Sequence, residues 1–181
     1  MNLAFDVVVP SERAECGMCS GESPAELVAR LAFQKAADVA RRTTGRALII
    51  ACDTVAECQG TILGKPRDEA DARRMLQLLR GRPHRVLSGV CLYEVPQQRL
   101  AVEVDVTRLR MDRVGDAELE AYLQSRQWEG KAGAFGYQDG LDWLHIESGS
   151  ESNVVGLPRR RLARMLRDFG IPINEPEVDS V

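Results

Sequence analysis

The chain has 181 residues, 44% of them hydrophobic, which suffices for one well-packed core in a single domain. Its formal net charge of -3 gives no overall attraction to nucleic acid and excludes a general DNA- or RNA-binding protein. No apolar run approaches the roughly 18 residues of a membrane span, and no basic segment precedes an apolar stretch at the N-terminus. With an odd count of five cysteines, the composition predicts a soluble cytoplasmic protein with reduced thiols.

The first third of the chain predicts a strand, a helix and a second strand. Residues 5–10 have the composition of a strand, and Ser23-Pro24-Ala25-Glu26 combines a Ser N-cap, Pro at the first helical position and a capping-box Glu. The helix should extend to about Arg42, with Lys35 near the boundary between core and solvent. Residues 47–55 are too uniformly apolar to have one wet face and predict the central strand.

The rest of the chain continues the alternation of strands and helices. Gln59-Gly60 leads into a short hairpin arm, and Asp68 caps a helix that Gly81 ends. Further along, the sequence predicts a β-hairpin over residues 86–95 and 100–109, a helix over 116–124, a strand over 141–146 and a helix from about 158 to 170. The domain covers residues 1–172, and residues 173–181 form a loose acidic tail.

A carboxylate at the end of the 47–55 run is the most informative position. Burying an unpaired Asp in an apolar strand is costly, so Asp53 is expected to face a cleft, with Lys65 on a following turn held between Gly64 and Pro66. Such a pair can hold a metal-bound phosphate, and hard oxygen ligands suit Mg²⁺ or Mn²⁺. A phosphatase with a nucleophilic Asp is disfavoured, because Val55 stands where its acidic partner is expected.

Each of these residues also has a structural interpretation. Asp53 could cap a turn, Lys65 could belong to a simple turn, and Lys35 could extend along a helix into solvent. Cys16 and Cys19 have the spacing of a metal knuckle or redox pair, but no second pair accompanies them.

Two further features favour a structural interpretation. His84 follows a helix end and is interpreted as a hydrogen-bonded structural residue. The arginines at 159–161 are interpreted as a solvated helix face, because no surface aromatics accompany them for base stacking.

Taken in order, a set of short segments resembles one family. The segments are Leu31-Ala32-Phe33-Gln34-Lys35-Ala36, Cys52-Asp53-Thr54, Gly64-Lys65-Pro66, Met75-Leu76 through Leu79-Arg80-Gly81-Arg82-Pro83-His84, Lys131-Ala132-Gly133-Ala134-Phe135-Gly136-Tyr137-Gln138 and Asn153-Val154-Val155-Gly156-Leu157-Pro158. In this order and spacing the chain resembles the Maf family of nucleoside triphosphate pyrophosphatases. The resemblance implies a single α/β domain with a long twisted mixed sheet, flanked by helices around a cleft and similar to inosine triphosphate pyrophosphatases.

The resemblance also implies roles for individual residues. Asp53 would be the catalytic carboxylate acting on water with a divalent metal, Mg or Mn, while Lys35 and Lys65 neutralise the triphosphate. Gln138 matches a glutamine beside the family's catalytic cleft, and Thr54 joins the substrate-binding residues. A second carboxylate, catalytic and metal-binding, is assigned to Glu15, with Glu12 as the alternative.

The expected partner is a nucleoside triphosphate, with no nucleic acid, no membrane and a homodimer as the assembly the family allows. Ala134-Phe135-Gly136-Tyr137-Gln138 is closer to the family's pyrimidine group, so dTTP, UTP or modified relatives are expected before 7-methylguanosine triphosphate. Family members normally begin with a strand and a Ser-x-Ser-Pro-Arg-Arg loop, and the sequence predicts that this segment is absent. A catalytically impaired nucleotide-binding or regulatory protein is therefore the alternative to an active enzyme.

Overall fold

The computed structural model describes residues 4–11, 14, 17 and 19–173, which form five helices and five strands. In chain order they are α1 (Pro24–Arg42), β1 (Ala47–Cys58), β2 (Thr61–Leu63), α2 (Glu69–Leu79), β3 (Pro83–Val95), β4 (Arg99–Met111), α3 (Asp116–Gln124), β5 (Leu144–Ser148), α4 (Glu151–Val154) and α5 (Arg159–Asp168). Short 3-10 turns at Ala132–Ala134 and Tyr137–Asp139 precede β5. The predicted α/β class is confirmed, and the predicted helices and the β3–β4 hairpin lie within a few residues of their expected bounds.

The five strands form one sheet in the order β2-β1-β3-β4-β5. Each neighbouring pair in the described part of the chain is antiparallel, so the sheet is not the mixed sheet that the resemblance implied. Hairpins join β1 to β2 and β3 to β4, and each hairpin reverses the strand direction. The central strand is β3, so the prediction that residues 47–55 form the central strand was wrong.

The first part of β1 is also less buried than predicted. β2 pairs only with Ala56–Cys58, while β3 pairs with β1 along its other side from Ala47 to Glu57. Within the described residues no strand covers the outer edge of β1 before Ala56, and the side chain of Ile50 is 40% exposed. Asp53 therefore lies at an open edge of the sheet.

The strand predicted at residues 5–10 is the clearest error in the fold. These residues belong to no sheet, and Phe5, Val7 and Val9 are 80%, 82% and 76% exposed. Apolar composition without a neighbouring strand does not form a strand. Instead, the Arg42 side chain at the end of α1 donates a hydrogen bond to the Val9 carbonyl.

Helix α1 begins as the sequence predicted. The Ser23 hydroxyl accepts a hydrogen bond from the Glu26 backbone N–H, and the Glu26 carboxylate accepts one from the Ser23 backbone N–H. This capping box satisfies two donors that would otherwise be unpaired. The buried side of α1, which includes Val28, Ala32 and Ala36, then packs against β1 and β3.

A glycine in β3 sets how closely α1 approaches the sheet. A Cβ atom at Gly89 would lie 2.2 Å from the Val28 carbonyl oxygen and 2.8 Å from the Ala29 nitrogen, well inside van der Waals contact. Only a residue without a side chain lets the α1 backbone lie directly on the strand. Gly89 is paired in register with Asp53, so the same contact determines how α1 meets that residue.

The other helices cover the opposite face of the sheet and the end near β5. Leu162, Met165 and Leu166 of α5 pack against Val90 and Leu92, which alternate along β3 with the residues that face α1. The largest buried cluster joins α2 and α3 to β1, β3, β4 and β5. None of the helices in the described ranges is long and apolar enough to span a membrane.

We expect Gly89→Ala to destabilise the protein by about 1–3 kcal/mol, the usual cost of overpacking, because the new methyl group must displace helix backbone. Chemical denaturation followed by circular dichroism measures the change. The matched control is Gly115→Ala, at a position where a Cβ meets nothing within 4 Å. Equal denaturation midpoints for the two variants would contradict the close approach of α1.

Candidate active site

A cavity of about 250 Å³ lies at the open edge of β1. The residues that line it come from α1, β1, the loop after β2, β3, the 130–138 loop and the end of α4. They are Lys35, Cys52, Asp53, Thr54, Lys65, Val86, Gly130, Lys131, Ala132, Phe135, Gly136, Gln138, Val154, Val155 and Gly156. All five predicted site residues that the structure describes are among them. Glu12 and Glu15 lie outside the described residues.

An ion pair forms part of one wall of the cavity. Lys35 Nζ donates to Asp53 Oδ1 at 2.6 Å, and the two side chains are only 18% and 13% exposed. Lys35 reaches the strand because α1 is in contact with Gly89, the residue opposite Asp53 in β3. The pair places a carboxylate and an ammonium group side by side on the cavity, where limited solvent strengthens their electrostatic fields.

Lys65 adds a second cation from a different direction. It follows β2 in an exposed turn that is tied to the neighbouring loop, because the Gly133 N–H donates to the Gly64 carbonyl at 3.0 Å. Within the described residues Lys65 has no ion-pair partner, in contrast to Lys35. Its ammonium group is therefore available to an anionic ligand.

Asp53 and Thr54 point to opposite sides of β1, as successive strand residues do. On the α4 side, Thr54 Oγ1 lies 2.7 Å from Ser88 Oγ of β3 and close to Gly156 after α4. Cys52 faces the same side, and burial, with the adjacent Asp53 charge, raises its pKa to about 12. The Cys52 thiol therefore stays protonated at neutral pH and is not a nucleophile.

A salt bridge that the sequence interpretation missed fixes the loop carrying Gln138. Lys131 Nζ donates to both carboxylate oxygens of Asp139, at 2.5 and 2.6 Å, and the Tyr122 hydroxyl of α3 donates to the same carboxylate at 2.9 Å. Asp139 is only 8% exposed. Gly136 permits this closure, because a Cβ there would lie 2.5 Å from Lys131 Nζ.

This network holds a neutral tyrosine beside the ion pair. Burial raises the pKa of Tyr122, and the hydrogen bond to Asp139 raises it further, so the hydroxyl remains a donor at neutral pH. Lys131 is one of only three lysines in the chain, and all three line this cavity. The scarcity of lysine is the part of this signal that is visible in the sequence.

The remaining sequence candidates that the structure describes are not among the residues that line the cavity. His84 is buried, packs edge-on against Phe135 and has its pKa lowered by burial, in keeping with a structural residue. Arg161 pairs with Glu103 and Asp105 of β4. Cys19 is exposed, and its proposed partner Cys16 lies outside the described residues.

Asp53 is the carboxylate in the cavity lining that could hold a divalent cation. Within the described residues no group of three or more His, Cys, Asp or Glu side chains forms a metal cluster. Mg²⁺, however, commonly uses one or two carboxylates and completes its coordination with water and substrate phosphate oxygens. A single partly exposed carboxylate, Asp53, beside cationic residues fits that second mode.

Comparison with known proteins identifies the family. Residues 1–169 match the family model described as "Maf-like protein", and the chain belongs to this family. It is 51% identical over 181 residues to a dTTP/UTP pyrophosphatase of Rhodopirellula baltica, covering 98% of this chain and 79% of that protein. It is 42% identical to one of Geotalea uraniireducens (93% and 86%) and 41% identical to one of Carboxydothermus hydrogenoformans (92% and 88%). The resemblance read from the motifs is confirmed.

We expect Asp139→Asn to loosen the 131–139 loop, because the Lys131 ammonium group would lose its buried counter-charge. Hydrogen–deuterium exchange should show peptides from this loop exchanging at least about tenfold faster, which corresponds to a loss of at least about 1.4 kcal/mol of local stability. Peptides from α1 should be unchanged. The control is Asp142→Asn, an exposed carboxylate close by in the sequence; the same protection in both variants would show that the ion pair does not hold the loop.

Proposed function

We propose that this protein hydrolyses nucleoside triphosphates to a nucleoside monophosphate and pyrophosphate, with dTTP and UTP as its preferred substrates. The observation that carries the proposal is the cavity itself, where the Asp53–Lys35 pair, Lys65 and Gln138 meet at an open strand edge. The chain belongs to the Maf-like family, and its relatives named dTTP/UTP pyrophosphatase match almost its whole length. Family and geometry thus support the same class of hydrolase.

In this proposal each charged residue has a role in cleavage between the α- and β-phosphates. Asp53 orients a water molecule and accepts its proton as the water attacks. Lys35 hydrogen-bonds the carboxylate and holds it in place, and its charge also faces the incoming polyphosphate. Lys65, without an ion-pair partner in the described residues, neutralises the departing pyrophosphate.

A divalent cation, Mg or Mn, completes this proposal. Asp53 would hold it together with substrate phosphate oxygens, and Glu15 or Glu12 is the second carboxylate proposed from the sequence. Such a cation supplies charge neutralisation at the phosphates.

The nucleoside end of the substrate is assigned to the less charged part of the cavity. Phe135, Val154 and Val155 provide apolar surface for a base, and Thr54 and Gln138 provide polar groups for recognising it. The family resemblance also supports a homodimer and a cytoplasmic location, and size-exclusion chromatography with light scattering tests the dimer.

The first test of the proposed function is Asp53→Asn. Loss of the proton acceptor should reduce pyrophosphate release from dTTP and UTP by about 10²–10⁴-fold in the presence of Mg²⁺ or Mn²⁺. The control Asp142→Asn should retain wild-type turnover. Equal release by Asp53→Asn and wild type would refute the catalytic assignment, and nucleotide binding by wild type without any turnover would identify the binding-only alternative.

A second variant tests the phosphate contact. Lys65→Gln removes the cation but keeps a polar side chain, so the KM for UTP should rise by roughly tenfold or more. The control Arg67→Gln removes an exposed charge two residues away. If both variants raise KM equally, Lys65 acts only through the general electrostatic field and not through contact with the substrate.

A further inference from the structure

Behind Thr54 lies a buried chain of hydrogen bonds that the proposed mechanism does not use. Thr54 Oγ1 lies 2.7 Å from Ser88 Oγ, and Ser88 Oγ lies 3.2 Å from the backbone carbonyl oxygen of Asn153 in α4. Ser88 and Asn153 are completely buried. Water therefore cannot exchange freely with either group, and the protein alone determines the direction of these bonds.

That direction follows from the chemistry of the groups. A carbonyl oxygen only accepts hydrogen bonds, so in the bond between Ser88 Oγ and the Asn153 carbonyl the Ser88 hydroxyl donates its single proton. Ser88 can then only accept from Thr54, and the Thr54 hydroxyl must donate to Ser88. The Thr54 proton is thus used inside the protein, and its oxygen presents lone pairs to the cavity.

The acceptor carbonyl is itself rigidly held. Asn153 Nδ2 donates to the Val86 carbonyl at 3.1 Å and to Thr107 Oγ1 at 2.9 Å, which fixes α4 against β3 and β4. The Gly156 N–H donates to the same Asn153 carbonyl, which keeps it an acceptor at both lone pairs. Rotation of the Ser88 hydroxyl toward Thr54 would break its buried hydrogen bond to the Asn153 carbonyl.

The two sides of β1 indicate which part of a nucleotide meets Thr54. Asp53 faces α1 and Lys35, where the charged groups are suited to the triphosphate. Thr54 faces α4 with Val154 and Val155, where the lining is apolar and suited to a base. A nucleotide bound in this cavity would straddle the edge of β1.

We propose that Ser88 is a positioning residue that fixes Thr54 as a hydrogen-bond acceptor, so that the cavity selects bases presenting an N–H donor at this point. The inference rests on the proposed function and deepens it. Uracil and thymine carry a proton on N3, whereas the N3 of cytosine is a bare acceptor. Two acceptors facing each other in a buried site repel and remain unpaired, so the arrangement favours dTTP and UTP over CTP.

The test compares kcat/KM for UTP and CTP in wild type and Ser88→Ala. Without Ser88, the Thr54 hydroxyl can turn and donate to cytosine N3, so the UTP/CTP ratio should fall at least about tenfold, mainly through better use of CTP. The control Thr107→Val removes the hydroxyl that accepts a hydrogen bond from Asn153 Nδ2 of α4, but it leaves the hydrogen bond between Thr54 and Ser88 in place. This variant should keep the wild-type UTP/CTP ratio. A ratio that is unaltered in Ser88→Ala, or that falls equally in Thr107→Val, would overturn the proposal.

A modified substrate tests the same idea without relying on a buried substitution. Wild type should hydrolyse 5-methyl-UTP, which keeps the N3 proton, and should use 3-methyl-UTP at least about tenfold less well, because its donor is blocked. Thr54→Ala opens space and removes the acceptor, so it should reduce the difference between the rates at which the two analogues are hydrolysed. Equal use of both analogues by wild type overturns the inference and leaves the pyrophosphatase function standing, whereas no turnover of any nucleotide overturns the function itself.

Discussion

The direct contact between the α1 backbone and Gly89 is the constraint on which the rest of the site depends. With no side chain at that position, the Val28 carbonyl lies against β3, and the following turns of α1 bring Lys35 across to Asp53 at 2.6 Å. Any side chain would move the helix outward and lengthen this ion pair. The wall of the cavity that carries Lys35 and Asp53 is therefore a consequence of backbone packing, and the capping box at Ser23 sets where that helix begins.

Adjacent residues of β1 point to opposite faces of the sheet, so the candidate site has a charged side and a less charged side. Asp53 belongs to the charged side with α1, while Thr54 belongs to the side with α4, and their partners in β3 are the neighbouring Gly89 and Ser88. Because β2 leaves this part of the strand edge open, one ligand can contact both sides. The strand edge thus brings the proposed phosphate contacts and the proposed base recognition within one small cavity.

Several features of the fold and of the candidate site could be predicted from the sequence, for physical reasons. The cost of burying a lone carboxylate placed Asp53 at a cleft, and the capping signals at Ser23 and Asp68 located two helix starts. Strand pairing could not be read in the same way, because composition does not specify neighbours. Residues 5–10 are apolar yet join no sheet, and residues 47–55 lie beside the central strand.

The residues that support the cavity could not be predicted from the sequence, because they act through contacts with residues that are distant along the chain. Lys131 meets Asp139 only because Gly136 lets the loop close, and Ser88 meets Asn153 across 65 positions. The sequence does show that only three of the 24 Lys and Arg residues are lysines, and the structure then places all three in the cavity lining. A compact ammonium group suits phosphate contact as a point charge.

The most direct test is a crystal structure with Mn²⁺ and a UTP analogue whose α–β bridge resists hydrolysis. The account predicts the triphosphate against Lys35, Asp53 and Lys65, and the uracil on the other side of β1 with its N3–H directed at Thr54 Oγ1. A base bound on the α1 side of the strand, or a nucleotide bound outside this cavity, would contradict it.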